Sequence, residues 1–319
     1  LFLLLSVKAQ ENEHWKVFTT TNSDLVSNTP YVLAYGKNDE LWVGSSGEGL
    51  NRIANNHWDS YTTFNTGIPD NSVVSIHLSK DKVWLGFEQG GLVQFMEEGC
   101  LIYKPDNSKI PSSWIRGIQS DEKGNLWFGA SNQGLTFFNG EKFKVYSTAN
   151  SNLSDNVVND ILIISAKERW VATQNGGLVH MLKSKWEVFH KRNSPLESNW
   201  ITCLAKDSKG RLWAGTIGGG LVMYQNNLWK VYKTDNSGLT NNSIYDIAED
   251  QNGNIWVATG GGGVVKYVNE EQWEVFRTEN SPLPADFVYA LEVDRQNNVY
   301  FGTLNGGLAV YNEKGIINQ

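Results

Sequence analysis

Residues 212–221 read Leu-Trp-Ala-Gly-Thr-Ile-Gly-Gly-Gly-Leu, and the same decapeptide returns along the whole chain. It is LWVGSSGEGL from Leu41, VWLGFEQGGL from Val83, LWFGASNQGL from Leu126, RWVATQNGGL from Arg169, IWVATGGGGV from Ile255 and VYFGTLNGGL from Val299. The second residue is aromatic in every copy: Trp42, Trp84, Trp127, Trp170, Trp213, Trp256 and Tyr300, spaced 42 to 44 residues apart. Two further markers keep the same period. One begins at Trp15, Trp58, Cys100, Phe143, Trp186, Trp229 and Trp273. The other is Asn-Ser/Thr-x-Leu/Ile from Asn22, Asn65, Asn107, Asn150, Asn193, Asn236 and Asn280. Three markers with one period define seven copies of one unit, and that repeat decides the fold before any single residue does.

Each unit reads as four short strands with no helical periodicity. Strand a is a Val/Ile-rich run such as 242–248. An Asp-x-x-Gly turn follows, as at Asp121–Gly124, Asp207–Gly210 and Asp250–Gly253; Asp opens such turns and Gly takes the positive-φ position. Strand b carries the anchor aromatic. A glycine hairpin such as Gly176-Gly177 leads to strand c (178–182), then strand d (186–189). Strand b is an apolar run, as expected of a sheet covered on both faces. The expected fold is therefore all-β: a seven-bladed β-propeller of four-stranded antiparallel blades. The chain opens on a d-type strand, Trp15–Phe18, and closes on a c-type strand, Leu308–Tyr311. The N-terminal strand is thus expected to complete the last blade, so that the propeller is whole.

Composition excludes other classes. Thirteen Trp, twelve Tyr and thirteen Phe in 319 residues, with 19% charged residues, argue against disorder. A net charge of −7 lacks the basic footprint of a nucleic-acid partner. No apolar run approaches the roughly 20 residues of a spanning helix, so membrane insertion is not expected. Residues 1–9, LFLLLSVKA, read as the end of a secretory signal peptide cleaved after Ala9, leaving 10–319 as the propeller and placing the mature chain in the periplasm or outside the cell.

The LW-x-G-T-x-x-GGL segment preceded by D-x-x-GN resembles the two-component regulator propeller repeat, over residues 14–311. That resemblance implies a periplasmic sensor propeller of the kind found in hybrid histidine kinases, often tied to polysaccharide sensing. Here seven repeats stand in place of two rings, so a stand-alone relative is expected, with fold, export and ligand binding carried over. The sequence is also similar, at the level of D-G-x-[LI]-W repeats, to the streptogramin lyases, and a lyase or hydrolase is the alternative function. A purely structural surface module is the third.

Residues alike in all copies are read as framework. Those that differ at one face are candidates for binding, because loops on a rigid scaffold carry function. The d–a and b–c connections are expected to surround one mouth of the central channel. There Tyr31, Trp114, Trp200, Tyr245, Phe287 and Tyr289 offer aromatic platforms, with Arg116 and Glu88 as charged groups. Such a mixture suits an oligosaccharide, peptide or protein ligand. The alternative for Trp114 and Trp200 is packing between blades. Catalysis is not expected. The five His do not converge, so neither a metal nor a cofactor is implied. Asp160 and Asp246 occupy equivalent strand-a positions, and hydrogen bonding to neighbouring backbone outweighs acid/base work as their role. Cys100 and Cys203 fall on outer and inner strands three blades apart, too far for a disulfide.

Overall fold

A computed structural model describes residues 12–80, 82–96 and 98–316. Seven four-stranded antiparallel sheets follow one another around a ring. Blade 1 runs Pro30–Tyr35, Glu40–Ser45, Leu50–Ala54 and His57–Tyr61, and blades 2 to 6 repeat that plan. Blade 7 takes strands a to c from Val288–Val293, Val299–Thr303 and Gly307–Tyr311. Its outer strand is Trp15–Phe18, paired antiparallel in the register Trp15 with Tyr311 and Phe18 with Leu308. The expected clasp is therefore present. The leader read at residues 1–9 lies outside the described residues.

The repeated residues have repeated jobs. Each marker Asn closes the d–a turn with its own side chain. In blade 4, Asn193 Oδ1 accepts the His190 N–H (2.8 Å) while Nδ2 donates to Val188 O (2.8 Å). The same pair of bonds recurs at Asn22, Asn65, Asn107, Asn150, Asn236 and Asn280. The Leu or Ile three residues on (Leu25, Ile68, Ile110, Leu153, Leu196, Leu239, Leu283) is buried in every blade. Large rings fill the seams between blades, as the roughly 10 Å separation of stacked sheets requires. Trp213 stacks on Tyr232 at 6.0 Å and tilts against Tyr267 of the next blade at 5.3 Å.

Glycine is required where backbones meet. A side chain at Gly177, with φ near +81°, would collide with the carbonyl of Phe189. At Gly86 a Cβ would stand 2.5 Å from Ile115 O of the next blade. The b–c hairpin of each blade thus reaches the d–a turn that follows it: Gly49 N donates to Asn71 O (2.9 Å) and Gly177 N to Asn199 O (3.0 Å). Both kinds of loop lie on one face, as expected.

Candidate functional site at the channel mouth

Strand a of every blade lines the channel, and in all seven the a–b register slips near its start, between Val158 and Asp160 or Ile244 and Asp246, for example. Such bulges re-aim side chains. As the innermost strand of its sheet, strand a also has backbone groups with no strand partner, and side chains from the preceding blade take up some of these. Ile118 N donates to Ser75 Oγ (3.2 Å), Ile163 N to Gln119 Oε1 (3.1 Å), and Leu204 N to Asp160 Oδ2 (2.8 Å). Leu291 N donates to Asp246 Oδ2 (2.8 Å), and Tyr35 N to Glu292 Oε2 (3.1 Å). Between blades 5 and 6 the bond runs from Thr202 Oγ1 to Ile244 O (2.7 Å).

Asp160 and Asp246 are therefore seam residues, as the backbone-bonding reading holds. Glu292 and Gln119 do the same work one tier along the strand and are not distinguished in the sequence. Burial pushes the carboxyls of Asp160, Asp246 and Glu292 up to about 7, against the opposing pull of the N–H groups they accept. Burial likewise holds His77 down to about 4; its Nε2 lies 2.9 Å from Ser120 Oγ. Cys203 is buried beside Asp246 and Asp160, its thiol pushed well up by burial. Both cysteines are free.

Above this wall the channel opens into a cavity of about 440 Å³. Tyr31, Arg116, Trp200, Tyr245 and Tyr289 line it. Blades 6, 7 and 1 supply an aromatic cluster: Tyr245 lies 4.9 Å from Phe287 and 5.6 Å from Tyr289, and Tyr289 lies 5.1 Å from Tyr31. Phe287 bridges back to Gly260, where any Cβ would press on the Tyr245 ring at 2.9 Å. Blade 3 supplies Arg116, its guanidinium 4.5 Å from the Trp114 ring, a cation–π distance. Blade 5 supplies Trp200, 41% exposed despite its size. Phe287 packs behind Tyr245 and Tyr289 and Trp114 stands behind Arg116, neither of them on the cavity wall, and Glu88 lies on the b–c loop of blade 2, also off the wall. Among the described residues no group of three or more His, Cys, Asp or Glu could hold a metal ion.

Residues 195–218, 238–261 and 282–305 match the family described as two component regulator propeller. Three stretches of the chain thus match that repeat. In fold, this repeat propeller is similar to the extracellular domain of a hybrid two component system from B. thetaiotaomicron, with a TM-score of 0.81 and 23% identity. That match covers 94% of this chain and 41% of the other, so the propeller spans about two fifths of its relative. It is also similar to virginiamycin B lyase from Staphylococcus aureus (TM-score 0.72, 16% identity, 93% of this chain and 98% of the lyase). A third similar structure is YCF48 bound to D1 peptide (TM-score 0.69, 14% identity, 93% and 96% covered). No curated protein matches the sequence.

Proposed function

We propose that this propeller is an exported, non-catalytic binding module of the sensor type, which takes an oligosaccharide, peptide or protein ligand at the channel mouth. In this reading residues 1–9 end a secretory leader, 10–319 form the propeller, and the chain works in the periplasm or outside the cell. One observation carries it. Side chains unlike their counterparts in other blades meet around one cavity: Tyr31, Tyr245 and Tyr289, backed by Phe287, on one rim, Arg116 on Trp114 and the exposed Trp200 on the others. Aromatic faces stack on flat apolar surfaces, and the guanidinium fixes orientation. The similarity to an extracellular sensor domain supports export and sensing, and YCF48 with its peptide supports the use of such a ring for binding.

A thermal-shift screen of oligosaccharides and short peptides tests this. Ligand at a hundredfold excess over Kd adds about 2.7 kcal/mol of stability. A hit is expected to raise the unfolding midpoint by several degrees. Trp200→Ala combined with Tyr245→Ala should weaken that hit by about tenfold or more, while a distant surface change does not. A hit that binds the double variant as well as the wild type would place the ligand elsewhere.

A further inference from the structure

The second residue of every strand a lines the mouth cavity, so the blades together form one tier of side chains around it. That tier is divided by chemistry. Blades 6, 7 and 1 give the phenols: Tyr289 lies 5.6 Å from Tyr245 and 5.1 Å from Tyr31. Burial pushes the Tyr245 and Tyr289 hydroxyls up, and the neighbouring phenols add to it, so the hydroxyls gather on one side of the mouth. Blades 4 and 5 give Asn159 and Thr202, whose donors are turned to the next blade: Asn159 Nδ2 to Ile201 O (2.8 Å) and Thr202 Oγ1 to Ile244 O (2.7 Å). Blade 2 gives Val74, and blade 3 gives Arg116, the charged side chain of the tier. The strands a close into a ring of seven, in which blade 3 stands across from blades 6 and 7. Arg116 is therefore on the opposite side of the mouth from the phenols.

No carboxylate answers that guanidinium. Arg52, Arg211, Arg277 and Arg295 each pair with an acid. Arg192 is exposed on a turn, and Arg169 Nη2 donates to Ala166 O (3.1 Å). Arg116 has no ion pair among the described residues. Its Nε is enclosed without a partner, but its two Nη groups are not, and they are what the cavity reaches. Trp114 behind it holds the guanidinium in place. The acids on the same wall, Asp160 and Asp246, are turned to the seams, where they accept N–H groups of Ile161, Leu204, Ile247 and Leu291. A guanidinium fixed by stacking, with open Nη groups, is a preformed seat for a planar anion such as a carboxylate.

The surroundings narrow the class of ligand. A bound peptide gains most from an open strand edge, and along strand a neighbouring side chains already occupy the N–H groups of Tyr35, Ile118, Ile163, Leu204 and Leu291. A pyranose instead needs an aromatic face with polar groups in reach of its hydroxyls, which the phenol side offers. We propose that the mouth takes an acidic oligosaccharide: a uronate carboxylate sits on the Arg116 Nη groups, and a pyranose ring lies on the Tyr31, Tyr289 and Tyr245 side. This rests on the channel-mouth reading above and adds the charge of the ligand and its direction across the ring.

Isothermal titration of the full chain with digalacturonate and with dimannuronate is the test, each beside its methyl ester, which keeps the rings and loses the charge. At least one uronate is expected to bind, and its ester about tenfold or more weakly. Arg116→Gln should bring acid and ester to the same affinity, and Arg116→Lys should recover only part of the difference. The proposal is overturned if neither uronate binds at millimolar concentration, if acid and ester bind alike, or if Arg116→Gln keeps the preference for the acid. A neutral oligosaccharide that binds the wild type and Arg116→Gln equally, yet is weakened by Trp200→Ala combined with Tyr245→Ala, would overturn the acidic class and leave the channel-mouth site standing. The peptide Gly-Gly-Tyr, if it binds and loses that binding both on C-terminal amidation and in Arg116→Gln, would overturn the sugar and assign the guanidinium to a peptide carboxylate.

Discussion

Asp246 shows how a single channel residue couples the ring to pH. Its carboxylate accepts N–H groups from Ile247 and from Leu291 of the next blade, yet burial raises its pKa from 3.8 to about 7. Between those two values the folded chain holds a proton that the unfolded chain has lost. Stability from this group is therefore present at low pH and is lost as pH rises from about 4 towards 7. Asp160 and Glu292 shift in the same direction, each with Asp246 among the charges that raise it. Asp246→Asn, a neutral residue of the same shape, should lose less stability than the wild type between pH 5 and pH 8. Thermal unfolding at both pH values decides it, and an identical decline in the two proteins would remove Asp246 from the account. Framework residues were legible in the sequence because each is written seven times. The marker Asn and the buried Leu or Ile that follows are found by lining up the copies. Glu292 and Gln119 were not, because their role depends on which open backbone N–H of the neighbouring blade each one meets, and that leaves no mark in the spacing of apolar residues. The channel-mouth residues fell between: their variation singled them out, but only coordinates separated Trp200, on the wall, from Glu88, off it.

At the scale of elements, the N-terminal strand has the greatest effect for its size. Four residues, Trp15–Phe18, pair with Gly307–Tyr311, and the Trp15 ring meets Phe276, Phe301 and Tyr311 within 5.8 Å. Losing a ring packed in this way costs up to about 3 kcal/mol, before the exposed strand edge is counted. Deleting residues 14–20 should lower the unfolding midpoint by more than 10 °C and broaden the transition, as followed by Trp fluorescence. An unchanged midpoint would mean that the clasp contributes little. This element was legible from phase alone, since a chain that starts on strand d and stops on strand c has one economical way to close. The seam between blades 1 and 2 was legible only in part. Cys100 breaks the aromatic marker in plain view, but that the ring it deprives of a strand-d partner is Tyr61, 39 positions earlier in blade 1, shows only in the packing.

At the scale of the whole molecule, the ring is uniform in plan and uneven in its joints. Along the channel, five seams are bridged by a side chain accepting a backbone N–H and one by Thr202; between strands a of blades 1 and 2 no such bond is present among the described residues. The same seam lacks the strand-d ring. Meanwhile the first and last of the described residues meet: Asn312 N donates to His14 O (3.0 Å) and Ile316 N to Glu13 O (2.7 Å).

Because residues 12–14 lie beside residues 312–316, the order in which the chain runs through the blades is one choice among several. A circular permutant that joins residue 316 to residue 12 through a short glycine linker, and begins instead at Thr66 beside the fully solvated Phe64, should still fold. Its circular dichroism should overlay that of the parent. Its new free ends would flank the seam whose strands a share no side-chain hydrogen bond among the described residues, so hydrogen exchange should quicken there first, in blades 1 and 2, and leave blade 7 as slow as before.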